Sequence, residues 1–245
     1  EVFTVDARGH ADVVARVDSL PLCTAFRPDG RLVIVSSPEG RLLLRDHDGT
    51  VAPYVELGHP GWNDIVIDGR GNAYVNGAGY DPATGAFTAG GVTLAAADGT
   101  VRAVADDIAF PNGMAVTPDN RTLIVADSHR HCLLAFDIAT DGGLSGRRVW
   151  ADLGDGAPDG ICLDADGAVW YADVPHHRCV RVVEGGTVRQ TVELDRGGFA
   201  CVLGGPAGTT LCMVGAQFRS MSEGVVPGSG TVFTIEVKVP GAGWP

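Results

Sequence analysis

One unit written five times along the chain constrains the fold more than any other feature. Its turns are Pro28-Asp29-Gly30, Gly69-Arg70-Gly71, Pro118-Asp119-Asn120, Ala165-Asp166-Gly167 and Pro206-Ala207-Gly208. Seven residues before the middle of each turn lies one equivalent position, filled in order by Leu22, Asn63, Asn112, Asp159 and Ala200. The spacings between them are 41, 49, 47 and 41 residues. A period in the forties with several short strands per period is the signature of propeller blades around a central channel.

Within each unit a strand follows the marked position, reaches the turn, and a second strand returns, as in Gly113–Thr117 and Thr122–Ala126. A loop then leads to a third strand such as Cys132–Asp137. Because adjacent strands alternate in direction, the marked position and the loop after the second strand share one end of the propeller. The segment Glu1–Asp6 with Arg8-Gly9 matches Arg41–Asp46 with Asp48-Gly49 at an offset of 40 residues. Residue 1 is therefore expected inside the first blade, near its third strand, with that blade's channel position upstream. The expectation is a single all-β domain over residues 1–245. It is a six-bladed β-propeller of four-stranded antiparallel blades, the first incomplete at its N-terminus.

Composition agrees with a turn-rich β protein, with 35 Gly, 14 Pro and 45% hydrophobic residues. Thirty acidic against 18 basic residues give a net charge of −12 with no basic block. That disfavours nucleic acid and anionic membrane, because phosphate binding needs clustered Lys and Arg. No obligate protein partner is evident. No signal peptide and no bilayer-length apolar run are visible, so a cytoplasmic location is expected. The six cysteines show no C-x-x-C spacing, and packing as small hydrophobes accounts for them.

Function is sought at the marked positions. Three neighbouring units place an amide, an amide and a carboxylate where the other two place apolar side chains. Asn63, Asn112 and Asp159 as converging oxygen donors can hold a hard divalent cation. A carboxylate near a propeller axis must be protonated, hydrated or paired with a cation, and no Arg or Lys fills a neighbouring marked position. The competing reading is that Asp159 and the two asparagines merely cap turns, as Asx-Gly pairs often do. Ca2+ is the preferred ion, with Mg2+, Mn2+ or Zn2+ as alternatives. His129, His131, His176 and His177 belong to loops facing the channel mouth, where His129 and His177 are candidate substrate contacts. Trp62 and Tyr80 are candidates for an apolar wall, and Arg130, Arg178 and Arg219 for orienting polar groups. The long segment 215–230 can lid the pocket. Asp64 and Asp127 should point away from the site if strand alternation holds, with Asp127 as a structural cap.

The chain resembles the senescence marker protein (regucalcin)/gluconolactonase family of six-bladed propellers. The resemblance lies in Trp62-Asn63-Asp64, Phe110-Pro111-Asn112-Gly113-Met114, Leu123–Ser128, Pro158-Asp159-Gly160 and the terminal Val239-Pro240-Gly241-Ala242-Gly243. It implies a divalent metal held by Asn112 and Asp159, with Asn63 touching the metal, its water or the substrate. It also implies a Glu near the start of the first blade, for which this sequence has no counterpart. The activity implied is metal-dependent hydrolysis of a sugar lactone or similar small cyclic ester, with Asp159 as ligand and possible general base. A non-catalytic metal- or ligand-binding propeller is the alternative.

Overall fold

The computed structural model describes the whole chain except residues 7, 21, 82–84, 244 and 245. It opens with a two-stranded ribbon, β1 (Val2–Val5) and β2 (Ala11–Ala15). The first blade is β3 (Thr24–Phe26), β4 (Leu32–Ser36), β5 (Arg41–Arg45) and β6 (Val51–Glu56). The second is β7 (Asp64–Ile67), β8 (Ala73–Gly77), β9 (Gly90–Ala95) and β10 (Val101–Ile108). The third comprises β11 (Pro111–Val116), β12 (Thr122–Asp127), β13 (Cys132–Ile138) and β14 (Leu144–Asp152). The fourth comprises β15 (Pro158–Leu163), β16 (Val169–Asp173), β17 (Arg178–Val182) and β18 (Val188–Glu193). In the fifth, β19 (Gly197–Gly204) and β20 (Thr210–Ala216) are followed by a small ribbon, β21 (Phe218–Ser220) and β22 (Gly224–Val225), before β23 (Thr231–Glu236) completes the sheet.

Every blade is antiparallel and ordered as in sequence, so the propeller expectation holds in its class but not in its count. Among the described residues five blades are present rather than six, four of them four-stranded and the last three-stranded. The segment expected to belong to a further blade forms only the β1–β2 ribbon, which packs on the first blade through Ala15 against Leu32 and Ile34. Two strands without an inner pair do not make a blade.

The second strand of each unit explains why its sequence reads as an unbroken apolar run. Along β12, Leu123 and Val125 pack towards the second blade with Val66, Tyr74 and Leu94, whereas Ile124 and Ala126 pack towards the fourth with Val169 and Tyr171. Successive side chains alternate between two faces, and here both faces are covered by neighbouring blades. Similar clusters join the first blade to the second through Val33, Val35, Ile65 and Val75, and the fourth to the fifth through Trp170, Cys179, Leu211 and Met213. Burial of such side chains contributes roughly 1.5–3 kcal/mol each. The repeated turns close in the left-handed region, at Gly71 (φ 87°) and equally at Asn120 (φ 56°), whose Oδ1 also accepts Gly69 N–H at 2.6 Å. No helix of the described chain is long and apolar enough to cross a membrane.

Candidate active site in the channel

The first strands of successive blades pack side by side, β3 on β7, β7 on β11, β11 on β15 and β15 on β19. Glycine makes this possible. A Cβ on Gly113 would lie 2.4 Å from Asp159 O, and one on Gly160 would lie 2.8 Å from Ala200 Cα. The glycines after Asn112 and Asp159 thus let neighbouring channel strands approach, and that approach brings the preceding side chains together.

The three marked polar residues meet as the spacing predicts. Asn63 Nδ2 donates to Asn112 Oδ1 at 3.2 Å and to Pro111 O at 3.3 Å. Asn112 in turn hydrogen-bonds Asp159 through its side chain, and its Nδ2 reaches Ser128 Oγ at 3.3 Å. Ser128 Oγ donates to Pro158 O at 2.6 Å, joining the third and fourth blades beside the site. Two further residues escaped the sequence reading. Asn76, the one amide in the apolar strand β8, donates from Nδ2 to Asn112 O at 2.5 Å, while its own carbonyl accepts Asn63 N–H at 2.7 Å. It fixes the backbones of both marked asparagines, and its Oδ1 is buried with no hydrogen-bond partner.

Asp64 is the second. Instead of pointing away, it lines the same cavity as Asn63. Asn63 stands just before β7, so the two-residue alternation does not yet govern it. Asp64 Oδ2 accepts Met114 N–H at 3.0 Å. Burial raises its pKa to about 6, against the opposing pull of the Ile65 and Met114 amides and the Cys23 thiol. Asp159 is pushed further, to about 8, first by burial and then by the charge of Asp64, with the Asn112 side chain and Gly160 N–H acting the other way. Asp159 therefore holds its proton at neutral pH unless positive charge is supplied, whereas Asp64 is largely ionised there and adds its negative charge to the site.

A cavity of about 860 Å³ surrounds these groups, and all five marked positions line it. Among the described residues, no Lys or Arg is on its wall. Nor is any group of three or more His, Cys, Asp or Glu side chains there arranged to hold a metal ion. The donors on offer are one pair of carboxylates and the Asn63 and Asn112 amides, a hard-oxygen set that suits Ca2+ or Mg2+ better than a thiolate-binding metal.

The remaining candidates divide. His129 lines the cavity, stacked on Phe110 with ring centroids 4.7 Å apart, and His131 lines it with Nδ1 3.0 Å from Gly156 O. Trp62 does not face the cavity; it is 4% exposed, lies in the core between the first two blades, and donates to His59 O. Tyr80 stands behind the wall, edge-on to Phe110 at 6.4 Å, rather than on it. His177 is exposed outside the cavity, where its left-handed backbone (φ 53°) turns the chain and its carbonyl accepts Leu194 N–H. Arg130 is engaged with Asp107 and Asp127, and Arg178 with Asp173 and Asp155, so neither reaches the channel. Arg219 is exposed on β21, off the cavity wall. His176 Nδ1 is held by Asp173 Oδ1 at 2.8 Å. Asp127 is a cap, accepting Ala109 N–H and Phe110 N–H at 2.9 and 3.0 Å and thereby setting the approach to Asn112. Segment 215–230 folds as the β21–β22 ribbon and places Phe218, Met221 and Val225 against the cavity.

Comparison with known proteins agrees with this architecture. Residues 1–217 match the family model described as SMP-30/Gluconolactonase/LRE-like region. A 6-deoxy-6-sulfogluconolactonase of Pseudomonas putida is 28% identical over 155 residues, covering 61% of this chain and 53% of that protein. The chain thus spans about half the length of the curated relatives it matches. A luciferin-regenerating enzyme structure superposes with a TM-score of 0.78 at 21% identity, over 96% of this chain and 83% of that one. A structure described as a calcium-binding protein, regucalcin, from Agrobacterium tumefaciens gives 0.77 at 22%, over 96% and 81%. At these identities the solved structures establish the fold.

Proposed function

The chain belongs to the SMP-30/gluconolactonase/LRE-like family, and from that premise we propose that it hydrolyses a lactone or similar small cyclic ester with the aid of a divalent cation. The observation that carries this reading is the contiguous set Asn63, Asn112 and Asp159, with Asp64 beside it, in a cavity whose described wall has no cationic side chain. Two carboxylates raised towards neutrality form a site that gains from a positive charge. Asn63, Asn112 and Asp159 would hold the ion, which when bound supplies Lewis-acid polarisation of the ester carbonyl.

The protein's own part follows from the geometry. Asp159 serves as general base only while ionised, so positive charge next to it is what makes it competent at neutral pH. In that form it takes a proton from water as the water oxygen bonds to the carbonyl carbon. The ring C–O bond then breaks, and the proton passes to the departing alkoxide, leaving a hydroxy acid. Ser128 and Asn76 act on Asn112 rather than on substrate, fixing its side chain and its carbonyl respectively.

The test is a lactone panel assayed after EDTA treatment and again after adding back Ca2+, Mg2+, Mn2+ or Zn2+. The expected result is turnover that disappears with chelation, returns with metal, and falls by at least about 10² in Asp159→Asn. Tight lactone binding without turnover would replace the hydrolase by a binding propeller. Full activity in the Asp159→Asn variant would remove that residue from the chemistry.

A further inference from the structure

The wall above the polar floor has a chemistry of its own. Phe110, Phe199, Phe218, Met221, Val225 and Leu20 face the cavity. Phe199 and Phe218 meet edge-on at 5.9 Å, and His129 extends the Phe110 face by stacking on it. Several of these side chains are open to solvent, Leu20 at 88%, Met221 at 49% and Val225 at 47%. Phe87, itself 61% exposed, stacks on the outer side of His129 at 6.3 Å. Large apolar side chains left exposed together around a concave mouth mark a binding surface.

Polar partners for a sugar are scarce on this wall. Above the Asn63, Asn112, Asp64 and Asp159 floor, the described lining groups with hydrogen-bonding side chains are Ser128, His129 and His131, besides the Cys23 thiol. Ser128 Oγ is already spent on Pro158 O, and His131 Nδ1 sits on Gly156 O. A polyhydroxylated ring would therefore leave most hydroxyls unpaired on entering, at the usual cost of desolvating them. A sulfonate, phosphate or carboxylate substituent would meet two acidic groups and no Lys or Arg among the described wall residues.

We infer that the cavity selects neutral lactones carrying an apolar alkyl or aryl substituent, which lies on the Phe199–Phe218–Met221 side while the ester group faces Asp159. The inference rests on the hydrolase reading and narrows it. The β21–β22 ribbon is then a specificity element: it interrupts the fifth blade and contributes three of the apolar contacts, Phe218, Met221 and Val225.

Three six-membered lactones separate the possibilities: δ-valerolactone, δ-decalactone with its pentyl tail, and D-glucono-δ-lactone. Under metal-replete conditions kcat/KM is expected to be roughly 10- to 100-fold higher for δ-decalactone than for δ-valerolactone, as burial of a short alkyl chain allows. D-glucono-δ-lactone should be the poorest of the three. The double variant Phe218→Ser/Met221→Ser should reduce the decalactone-to-valerolactone ratio about tenfold. A flat ratio, or preference for D-glucono-δ-lactone, overturns the apolar selection while leaving the hydrolase reading intact. If no lactone is turned over, the hydrolase reading fails, and calorimetry with δ-decalactone decides the cavity's selectivity. Binding that weakens in the double variant sustains it, and absence of binding overturns it. Burial of the mouth in a homodimer, seen as Met221→Asp converting dimer to monomer without altering lactone preference, overturns it as well.

Discussion

Asp64 Oδ2 accepts the backbone N–H of Met114 at 3.0 Å, a bond from β7 to β11 that ties the second blade to the third at the channel wall. Met114 is 5% exposed and packs in the cluster between those two blades, so the amide has no ready access to water. The same carboxyl group therefore has two effects. It fastens two blades, and its charge raises the proton affinity of Asp159.

Asp64→Ala should cost about 1–3 kcal/mol, the usual penalty for stranding a buried donor. Asp64→Asn, which keeps an acceptor, should cost less. Urea denaturation of both variants checks the order. An alanine variant as stable as the wild type would mean that the Met114 amide finds another partner.

Stability without added metal should fall as pH rises from about 4 towards 8. The folded-state pKa of Asp159 is about 8 and that of Asp64 about 6, both above their ordinary value of 3.8. Between the unfolded and folded values the native state holds protons that the unfolded chain has released, so raising pH favours unfolding. Thermal melts in EDTA should show a Tm lower at pH 8 than at pH 5, with each 1 kcal/mol appearing as about 2–4 °C in a domain of this size. Asp159→Asn should flatten the slope, and excess Ca2+ should raise the wild-type Tm most at pH 8. A Tm that climbs from pH 5 to 8 in EDTA would contradict protonated carboxyl groups in the channel.

The turn ends offer an independent check of the frame. Asp164 is buried, its Oδ1 accepting Asp166 N–H and Ala168 N–H at 3.0 Å each while Oδ2 takes Arg181 Nε at 2.5 Å. Asp68 in the second blade accepts Arg70 N–H and Asn72 N–H at 2.9 Å in the same way. Asp164→Ala strands two amides and leaves a guanidinium, only 13% exposed, with Asp166 but without its buried carboxylate, and should destabilise by about 2–4 kcal/mol. Asp164→Ala combined with Arg181→Met should recover part of that loss, because the half-paired guanidinium is gone and the Asp166 carboxylate it leaves is exposed to water. Equal destabilisation by the single and double variants, read from chemical denaturation, would rule out the ion pair as the source.

Much of this was legible in the sequence because the repeat ties side-chain direction to blade position. Asn63, Asn112 and Asp159 share a register, so the period alone placed them together. Trp62 and Tyr80 were misplaced because adjacency in sequence says nothing about direction in the irregular chain outside the channel strands, and Trp62 turns into the core. Asp64 was misassigned for the converse reason, since alternation was applied before the strand had begun. Asn76 left a usable sign, an amide inside an otherwise apolar strand, which a fold with both blade faces covered does not tolerate without a purpose. The blade count failed because a short match at the N-terminus identified strand type without supplying a sheet for it to join.

Cys23 reports on the same electrostatics without any catalytic assay. Its thiol lies on the cavity wall, hydrogen-bonds Asp64, and is driven well above the ordinary cysteine range by burial first, then by the charges of Asp64 and Asp159. Alkylation requires the thiolate, so Cys23 should resist iodoacetamide at pH 8 in EDTA although it borders an open cavity. Asp159→Asn removes one of the secondary causes and leaves burial, so the Cys23 rate should rise only about two- to tenfold, the thiolate fraction gained by up to one unit of pKa. Peptide mapping by mass spectrometry resolves Cys23 from Cys132, whose burial alone is the main cause of a rise to about 11 and which should not respond to the substitution. Rapid labelling of Cys23 in the wild type, or a slower rate in Asp159→Asn, would mean that the channel carboxylates do not set the local potential in the way the geometry requires.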